Sequence, residues 1–506
     1  METLLNEILD FAQQRERCAP EPLTAEESAE LLEAMREWGA DEAALESGKA
    51  LGQDGTLVVA TGQQAGLLLG PLYTLYKALG AVKFARAAER RLGRRVVPVF
   101  WIASEDSDFE EAASVHYLDA AGVDRSWRYD PPGRIEGASV FSVGIDVSLE
   151  EWLSGLREDL PSTEWSHDVF NTLLEAAWNS RDMEEYFARL MARLTRGTGL
   201  ALVAPRMKFI RRRGAAVLRR ELERPGETAQ LVIEAGTEAA QLHREPGDVN
   251  CFLYDDQWRR LKLRAMDDGR IGDSSGGMYS REELLEKLER DPQRFSFNVV
   301  SRPVAQDAIF PTLAYAGGPG ECAYLEQLKR VYEWHGIPQP VIAPRPEAVL
   351  ISKRTGRALE KLGLNAMEFL GFDEAVLRKR VAQLNGGKAL DIVEAAQWEV
   401  EKSVDALDYA LANADPAVRK SVQRLREMHA TAFDKLRGRV EREQLQRDTE
   451  SSRLLTICEN ALLPGGKPQE RVLGAWFPFL HESGWLLTQR LLEKLDPGGE
   501  CAYIEL

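Results

Sequence analysis

The sequence predicts an α/β fold built on a parallel sheet and extended by an antiparallel α-helical coiled coil. Three observations carry that expectation. Two short apolar runs, Leu57-Val58-Val59-Ala60 and Val96 to Ala103, flank a stretch in which Leu72, Leu75, Leu79 and Val82 keep helical spacing, the strand–helix–strand pattern of a right-handed crossover between parallel strands. A second Gly-rich segment, Ala316-Gly317-Gly318-Pro319-Gly320-Glu321, opens another helix ahead of another apolar run, Pro340 to Arg345. Near the C-terminus, Val418, Val422, Leu425, His429, Ala432 and Leu436 alternate in steps of four and three, the seam of a coiled coil.

The elements follow in order. Residues 1–50 read as helical, with Leu31, Leu32, Met35 and Trp38 on one face and Gly39 as a stop. The first strand ends in the loop Thr61-Gly62-Gln63-Gln64-Ala65-Gly66-Leu67-Leu68-Leu69-Gly70-Pro71, and Gly93 caps the helix that follows. The second strand stops at Ser104-Glu105-Asp106-Ser107-Asp108. Because the two strands run parallel, both loops share one sheet edge, and open α/β sheets bind ligands outside the carboxyl ends of their strands. Phe141 to Ile145 reads as a strand, 165–196 as helical, Leu200 to Pro205 as a third core strand, and 245–280 as a small β insertion. A stripe of Val393, Val400, Val404, Leu407 and Leu411 precedes Asn413-Ala414-Asp415-Pro416, an N-cap followed by proline at the first helical position. These segments divide the chain into an N-terminal helical part (1–50), a core (51–371) with insertions at about 110–195 and 206–300, a coiled coil (372–460) and a tail (461–506) that returns to the core.

Composition narrows the function classes. With 506 residues, 44% hydrophobic and 29% charged, the chain is globular and large enough for more than one core. Its formal charge of -17 opposes a surface that tracks phosphates, so no nucleic-acid partner is expected. Five scattered cysteines without a C-x-x-C pair and six scattered histidines argue for a reducing compartment and against a structural metal. No apolar stretch reaches membrane-spanning length. A cytoplasmic protein with no membrane partner is expected.

The candidate residues cluster at the predicted strand ends. Thr61, Gln63, Gln64 and a helix N-terminus offer donors to an anion or a sugar hydroxyl, although the glycines here also serve tight helix–strand packing. Lys77, one and a half turns into the helix, reads first as a snorkelling side chain and second as a ligand contact. Glu105, Asp106 and Asp108 are suited to an ammonium group, a divalent ion or general-base work, since clustered carboxylates raise one another's pKa. Arg302 and Asp307 are open between a structural ion pair and a site role. Gly317, Gly318, Gly320 and Glu321 repeat the helix-opening pattern, and the basic run of Lys208, Arg211, Arg212 and Arg213 reads as a solvated helix face.

Taken together, Thr61 to Gly66 with Gly70-Pro71-Leu72-Tyr73-Thr74 and Lys77, Pro98 to Ala103 followed by Glu105-Asp106 and Asp108-Phe109, Arg302-Pro303 with Gln306-Asp307, Tyr315 with Gly317 to Glu321 and Tyr324, and Gly466 to Arg471 resemble the bacillithiol biosynthesis cysteine-adding enzymes of the BshC family. The resemblance runs nearly the full length in the same order. It implies a Rossmann-like, nucleotidyltransferase-type core with connecting-peptide insertions and a coiled coil that pairs two copies into a homodimer. It further implies a ligase that adds cysteine to the amine of glucosaminyl-malate, with carboxylate activation by ATP and Mg. On that reading Glu105, Asp106 and Asp108 are the catalytic carboxylates. Thr61, Gly62, Gln63, Gln64, Tyr73, Lys77, Arg302, Gln306, Asp307, Gly317, Gly318, Gly320, Glu321 and Tyr324 bind substrate or nucleotide. Two alternatives share the local features: a nucleotidyltransferase-like enzyme for another small molecule, and a non-catalytic coiled-coil interaction protein.

Overall fold

The computed structural model describes residues 2–236, 242–384, 388–447 and 449–506, with the backbone alone at 378, 382–384 and 444–447; every candidate site residue lies within them. The chain forms two compact units. One comprises the chain up to Ala120, Arg125–Val349 and Gln469–Ile504, and the other Ala121–Asp124, Leu350–Pro468 and Glu505–Leu506.

The first unit is organised by five strands, β1 (Leu57–Gln64), β2 (Val96–Ala103), β3 (Ala201–Val203), β4 (Thr312–Gly317) and β5 (Val341–Pro344). They are parallel throughout, in the order β5-β4-β1-β2-β3. The strands β1 to β4 are buried on both faces, which is why they read as continuous apolar runs rather than alternating ones. On one face, Leu5, Ile8 and Ala12 of α1 (Glu2–Arg17) join Ala81, Phe84, Ala85 and Ala88 of α2 (Tyr73–Leu92) against Leu57, Val59 and Leu313. The order reverses between β1 and β4, so the ligand crevice of this topology lies outside the carboxyl ends of those two strands.

Several expectations are refined. Thr61 to Gln64, read as loop, continue β1 and pair with Phe100 to Ala103 of β2. The Thr61 hydroxyl donates to the Ala316 carbonyl at 2.7 Å, and a Cβ at position 62 would lie 2.7 Å from the Trp101 carbonyl oxygen, so glycine lets the sheet close there. Phe141 is not in a strand but in a short 3₁₀ turn, Val140–Ser142. The β insertion is a five-stranded antiparallel sheet that also recruits Phe295–Phe297. The basic run opens α3 (Lys208–Glu223), whose Arg211 is buried rather than solvated. The helix expected after 321 is two, α5 (Pro319–Glu326) and a second, seven-residue helix at Lys329–His335, with α4 (Ser301–Ile309) ahead of β4.

In the second unit α6 (Lys388–Ala410) and α7 (Pro416–Arg447) run antiparallel within one chain, with Arg426 pairing to Asp405 at 2.6 Å. Val393, Val404 and Val422 are buried along their contact, while Leu407, Val418 and Leu436 of the expected seams remain exposed. A helix pair buries one line of side chains and leaves the flanks of that line in water.

The packing of α2 gives a direct test. Gly80 to Ala in an open helix gains about 1 kcal/mol of helix propensity, but here the new Cβ would stand 2.5 Å from Pro346 Cδ. Overpacking of this kind costs roughly 1–3 kcal/mol, so Gly80→Ala is expected to lower stability in urea unfolding. A stabilised variant would show that α2 is not seated against Pro346 in this way.

Candidate active site

A cavity of about 430 Å³ opens at the carboxyl ends of β4, β1 and β2. Its floor is set by Lys77. The α2 register places this side chain beneath β1, where it is 3% exposed, and its ammonium donates to the Gly62 carbonyl at 3.1 Å and to Gln63 Oε1 at 2.6 Å and pairs with Glu321. Burial pulls the Lys77 pKa below its ordinary value, with Glu321 acting in the opposite sense. Glu321 is the third residue of α5 and accepts the Gly318 N–H at 2.9 Å, while Tyr315 donates its hydroxyl at 3.1 Å. Burial pushes its carboxyl up, yet Lys77, the Gly318 N–H and Arg302 outweigh this and hold it below the usual 4.5.

The cavity has two walls of opposite charge. On the β4 and β5 side stand Arg302 and Arg345, and Arg471 lines the cavity with them. Arg345 is committed to Glu470 in a bidentate pair. Arg302 is different: it bonds Gln306 Oε1 at 3.2 Å, stacks on the Tyr315 ring at 5.4 Å and, among the described residues, has no carboxylate within 4.0 Å. Burial works against its charge, but Tyr315, Tyr324 and Glu321 more than restore it. On the β2 side stand Asp106 and Glu111. Asp106 accepts the Ser107 N–H at 2.8 Å and faces Arg260 of the antiparallel sheet at 3.6 Å. Burial, then Asp108 and Asp106, raise the Glu111 pKa, which moves a carboxyl toward the range useful for proton transfer near neutrality. Between the walls, Tyr73 receives a hydrogen bond from Gln63 at 3.3 Å, and burial followed by Glu111 and Glu321 pushes its pKa to about 12.

Of the residues singled out in the sequence, Gly62, Gln63, Gln64, Tyr73, Lys77, Asp106, Arg302, Gly318, Gly320, Glu321 and Tyr324 line this cavity. The others stand behind it. Glu105 turns away into a buried ion pair with Arg211 at 2.7 Å, so it is a support of the loop and not a wall of the cavity. Asp108 caps the short helix Phe109–Ala113 through the Glu111 N–H at 3.2 Å, and its carbonyl accepts from Gln64 at 2.9 Å. Thr61 ties β1 to β4, and Gly317 accepts the Arg345 N–H at 2.8 Å. Gln306 donates to Asp307 at 3.0 Å, and Asp307 is held by Tyr332 rather than by Arg302. Lys77 does not snorkel, and among the described residues no group of three or more His, Cys, Asp or Glu is arranged to hold a metal ion.

The comparison with known families closes the argument about ancestry. A family model described as bacillithiol biosynthesis BshC, N-terminal Rossmann-like domain, matches residues 6–346, and one described as bacillithiol biosynthesis BshC, C-terminal coiled-coil domain, matches residues 348–504. The chain belongs to the BshC family. It is 31% identical over 461 residues to a protein of Chlorobaculum tepidum, covering 87% of this chain and 81% of that one. It is 31% identical over 495 residues to one of Prosthecochloris aestuarii, covering 94% and 87%, and 29% identical over 477 residues to one of Bacillus cereus strain G9842, covering 92% and 87%. All three carry the name "Putative cysteine ligase BshC". Membership makes the chain a ligase of bacillithiol biosynthesis with a Rossmann-like core and a coiled-coil domain.

Seven cavity residues of this BshC chain were not among the candidate site residues: Trp101, Ala103, Glu111, Tyr315, Pro319, Arg345 and Arg471. Glu111 had a signal, because it follows the Asp108 cap by three residues. Arg471 closes the Gly466 to Arg471 motif and Arg345 ends the Pro340 to Arg345 run, but neither segment shows by itself that its arginine reaches this cavity; the fold brings them there.

The buried pair predicts a stability signature. Removing one partner of a buried ion pair costs roughly 3–5 kcal/mol because the other charge stays buried alone, and since Glu321 keeps some contact with solvent, a loss near ~3 kcal/mol is expected for Glu321→Gln. Its carboxyl lies below the usual 4.5 in the folded chain, so its contribution is present above that value and disappears as pH falls through the folded pKa. Urea unfolding followed from neutral to acid pH should therefore show the wild type losing this increment while Glu321→Gln does not. Parallel profiles for the two proteins would contradict the assignment.

Proposed function

We propose that the chain joins the carboxylate of cysteine to the amine of glucosaminyl-malate, forming an amide. The observation that carries this reading is the opposed charge of the two cavity walls. Glucosaminyl-malate carries an amine on carbon 2 of the sugar and the two malate carboxylates on the adjoining anomeric position, and β2 and β4, separated by β1 and so roughly 10 Å apart, set Asp106 and Glu111 on one side and Arg302, Arg345 and Arg471 on the other. Asp106 and Glu111 receive the amine. Arg302 and Arg471 receive the malate carboxylates, for which a planar guanidinium is suited. Gln63, Gln64 and Tyr73 meet the sugar hydroxyls.

Amide formation removes a proton from the attacking ammonium and displaces an oxygen from the cysteine carboxylate. Glu111, whose pKa is raised by burial and by its acidic neighbours, accepts the proton. The oxygen is a poor leaving group until it is activated; ATP with Mg would supply that activation, and the oxygen would leave on the transferred phosphoryl or adenylyl group as the C–N bond forms. The five cysteines are free thiols, and no described helix is long and apolar enough to cross a membrane, which supports a reducing cytoplasmic setting. The exposed Ile392, Trp398, Tyr409 and Met428 of the coiled coil support a second copy of the chain as its partner.

A reconstituted reaction with mass detection tests the reading. Cysteine and glucosaminyl-malate should yield bacillithiol only with ATP present, and turnover without a nucleotide would remove ATP from the account. Asp106→Asn and Glu111→Gln should lower kcat by about 10²-fold or more, the usual contribution of a positioned acid–base group. Arg471→Ala should raise KM for glucosaminyl-malate by about tenfold, equivalent to one charge-assisted contact, with unchanged thermal stability. Full activity in all three variants would refute the site.

A further inference from the structure

Three cavities of the first unit mix charges in their linings. The candidate site includes Asp106, Glu111 and Glu321, a hollow of about 1000 Å³ includes Glu37, Asp182, Glu184 and Glu289 beside its arginines, and one of about 300 Å³ includes Glu16, Glu21 and Asp54. A fourth, of about 330 Å³, is lined by Arg86, Arg193 and Arg196 together with Trp485, Thr488 and Gln489, and no carboxylate lines it.

Two of its three guanidinium groups are held in place. Arg86 anchors one nitrogen on the carbonyls of Gly197 at 3.3 Å and Thr198 at 3.0 Å, leaving the rest of its donor fork without a protein partner among the described residues. Arg193 lies over the Trp485 ring at 3.9 Å. That ring is fixed in turn by its N–H to Asp168 and by edge packing on Trp476 at 6.0 Å. Among the described residues neither Arg193 nor Arg196 has an ion pair within 4.0 Å or a protein hydrogen bond. Burial and the charge of Arg196 lower the Arg193 pKa, opposed by Asp168 and Glu175.

This hollow is remote from the candidate site. Arg86 follows Lys77 by nine residues on α2, roughly 13 Å along the axis at 1.5 Å per residue, toward the opposite edge of the sheet. In a chain whose formal charge is -17, long-range attraction does not gather anions there. Three guanidinium groups lining one hollow that no carboxylate lines repel one another, and an oxyanion between them converts that repulsion into charge-assisted hydrogen bonds in the planar geometry arginine favours.

We propose that Arg86, Arg193 and Arg196 form a second binding site, separate from the candidate active site, for a multivalent oxyanion: the phosphate or diphosphate group of a small molecule. Two held guanidinium groups and a third without a protein hydrogen bond among the described residues suit a diphosphate better than a single phosphate, because more oxygens are shared among more donors.

The test is calorimetric titration of the full chain with inorganic pyrophosphate and, separately, inorganic phosphate, at ionic strength held constant with chloride. Saturable binding is expected, tighter for pyrophosphate. Arg196→Gln alters a side chain that has no ion pair or protein hydrogen bond among the described residues and should weaken that binding by about tenfold or more, one charge-assisted contact in free energy; Arg193→Gln with Arg196→Gln should weaken it further. Arg471→Ala, which alters only the candidate cavity, should leave this component unchanged. The proposal is overturned by a wild type without saturable binding, by an Arg196→Gln variant that binds as the wild type does, or by a loss that follows Arg471→Ala instead.

Discussion

The ion pair between Lys77 and Glu321 is the constraint on which the candidate site depends. Lys77 belongs to the helix that leaves β1 and Glu321 to the helix that leaves β4, so their contact fastens together the two halves of the sheet at the point where strand order reverses. An ammonium taken out of water costs several kcal/mol unless its partners are well placed. Here Gly62, Gln63 and Glu321 supply them, and Gly318 and Tyr315 orient the carboxylate. The same contacts position Gln63 and the α5 N-terminus, which are themselves cavity residues. Structure and site thus draw on one hydrogen-bonded cluster.

The acidic wall depends on the insertions in a comparable way. After β2, Ser104 bonds Glu184, which is braced by Arg206 at 3.0 Å, and Glu105 meets Arg211 at 2.7 Å. Carbonyls 105 and 106 accept from the Ser139 hydroxyl at 2.6 Å and the Val140 N–H at 2.8 Å, and Arg260 approaches Asp106. Residues from four separate stretches between 139 and 260 therefore fix one short loop. A buried ion pair such as Glu105 with Arg211 is poor evidence of net stabilisation; its structural consequence is that Asp106, rather than Glu105, is presented to the cavity.

Much of the core was legible because parallel strands buried on both faces leave uninterrupted apolar runs, and because Gly93 and Gly336 stop helices with positive φ, at 62° and 72°. The edge carrying the site followed from the crossover alone. Lys77 was misjudged for a physical reason: one turn of helix cannot show whether a lysine meets water or a carboxylate far along the chain. Glu105 and Asp106 were equally plausible as local chemistry, and only the arginine of α3, from a run that looked solvated, separates them. The two helices after 388 were legible from their seam, but how deeply the seam is covered depends on what packs on its flanks, which heptad spacing does not encode.

The central claim is that the cavity between β2 and β4 is polarised and that this polarity orients the substrate. A crystal structure of the chain with glucosaminyl-malate bound tests it most directly. The account predicts the malate carboxylates within hydrogen-bonding distance of Arg302 and Arg471 and the amine within that distance of Asp106 or Glu111. A substrate bound in the reverse direction, or outside this cavity, would contradict it.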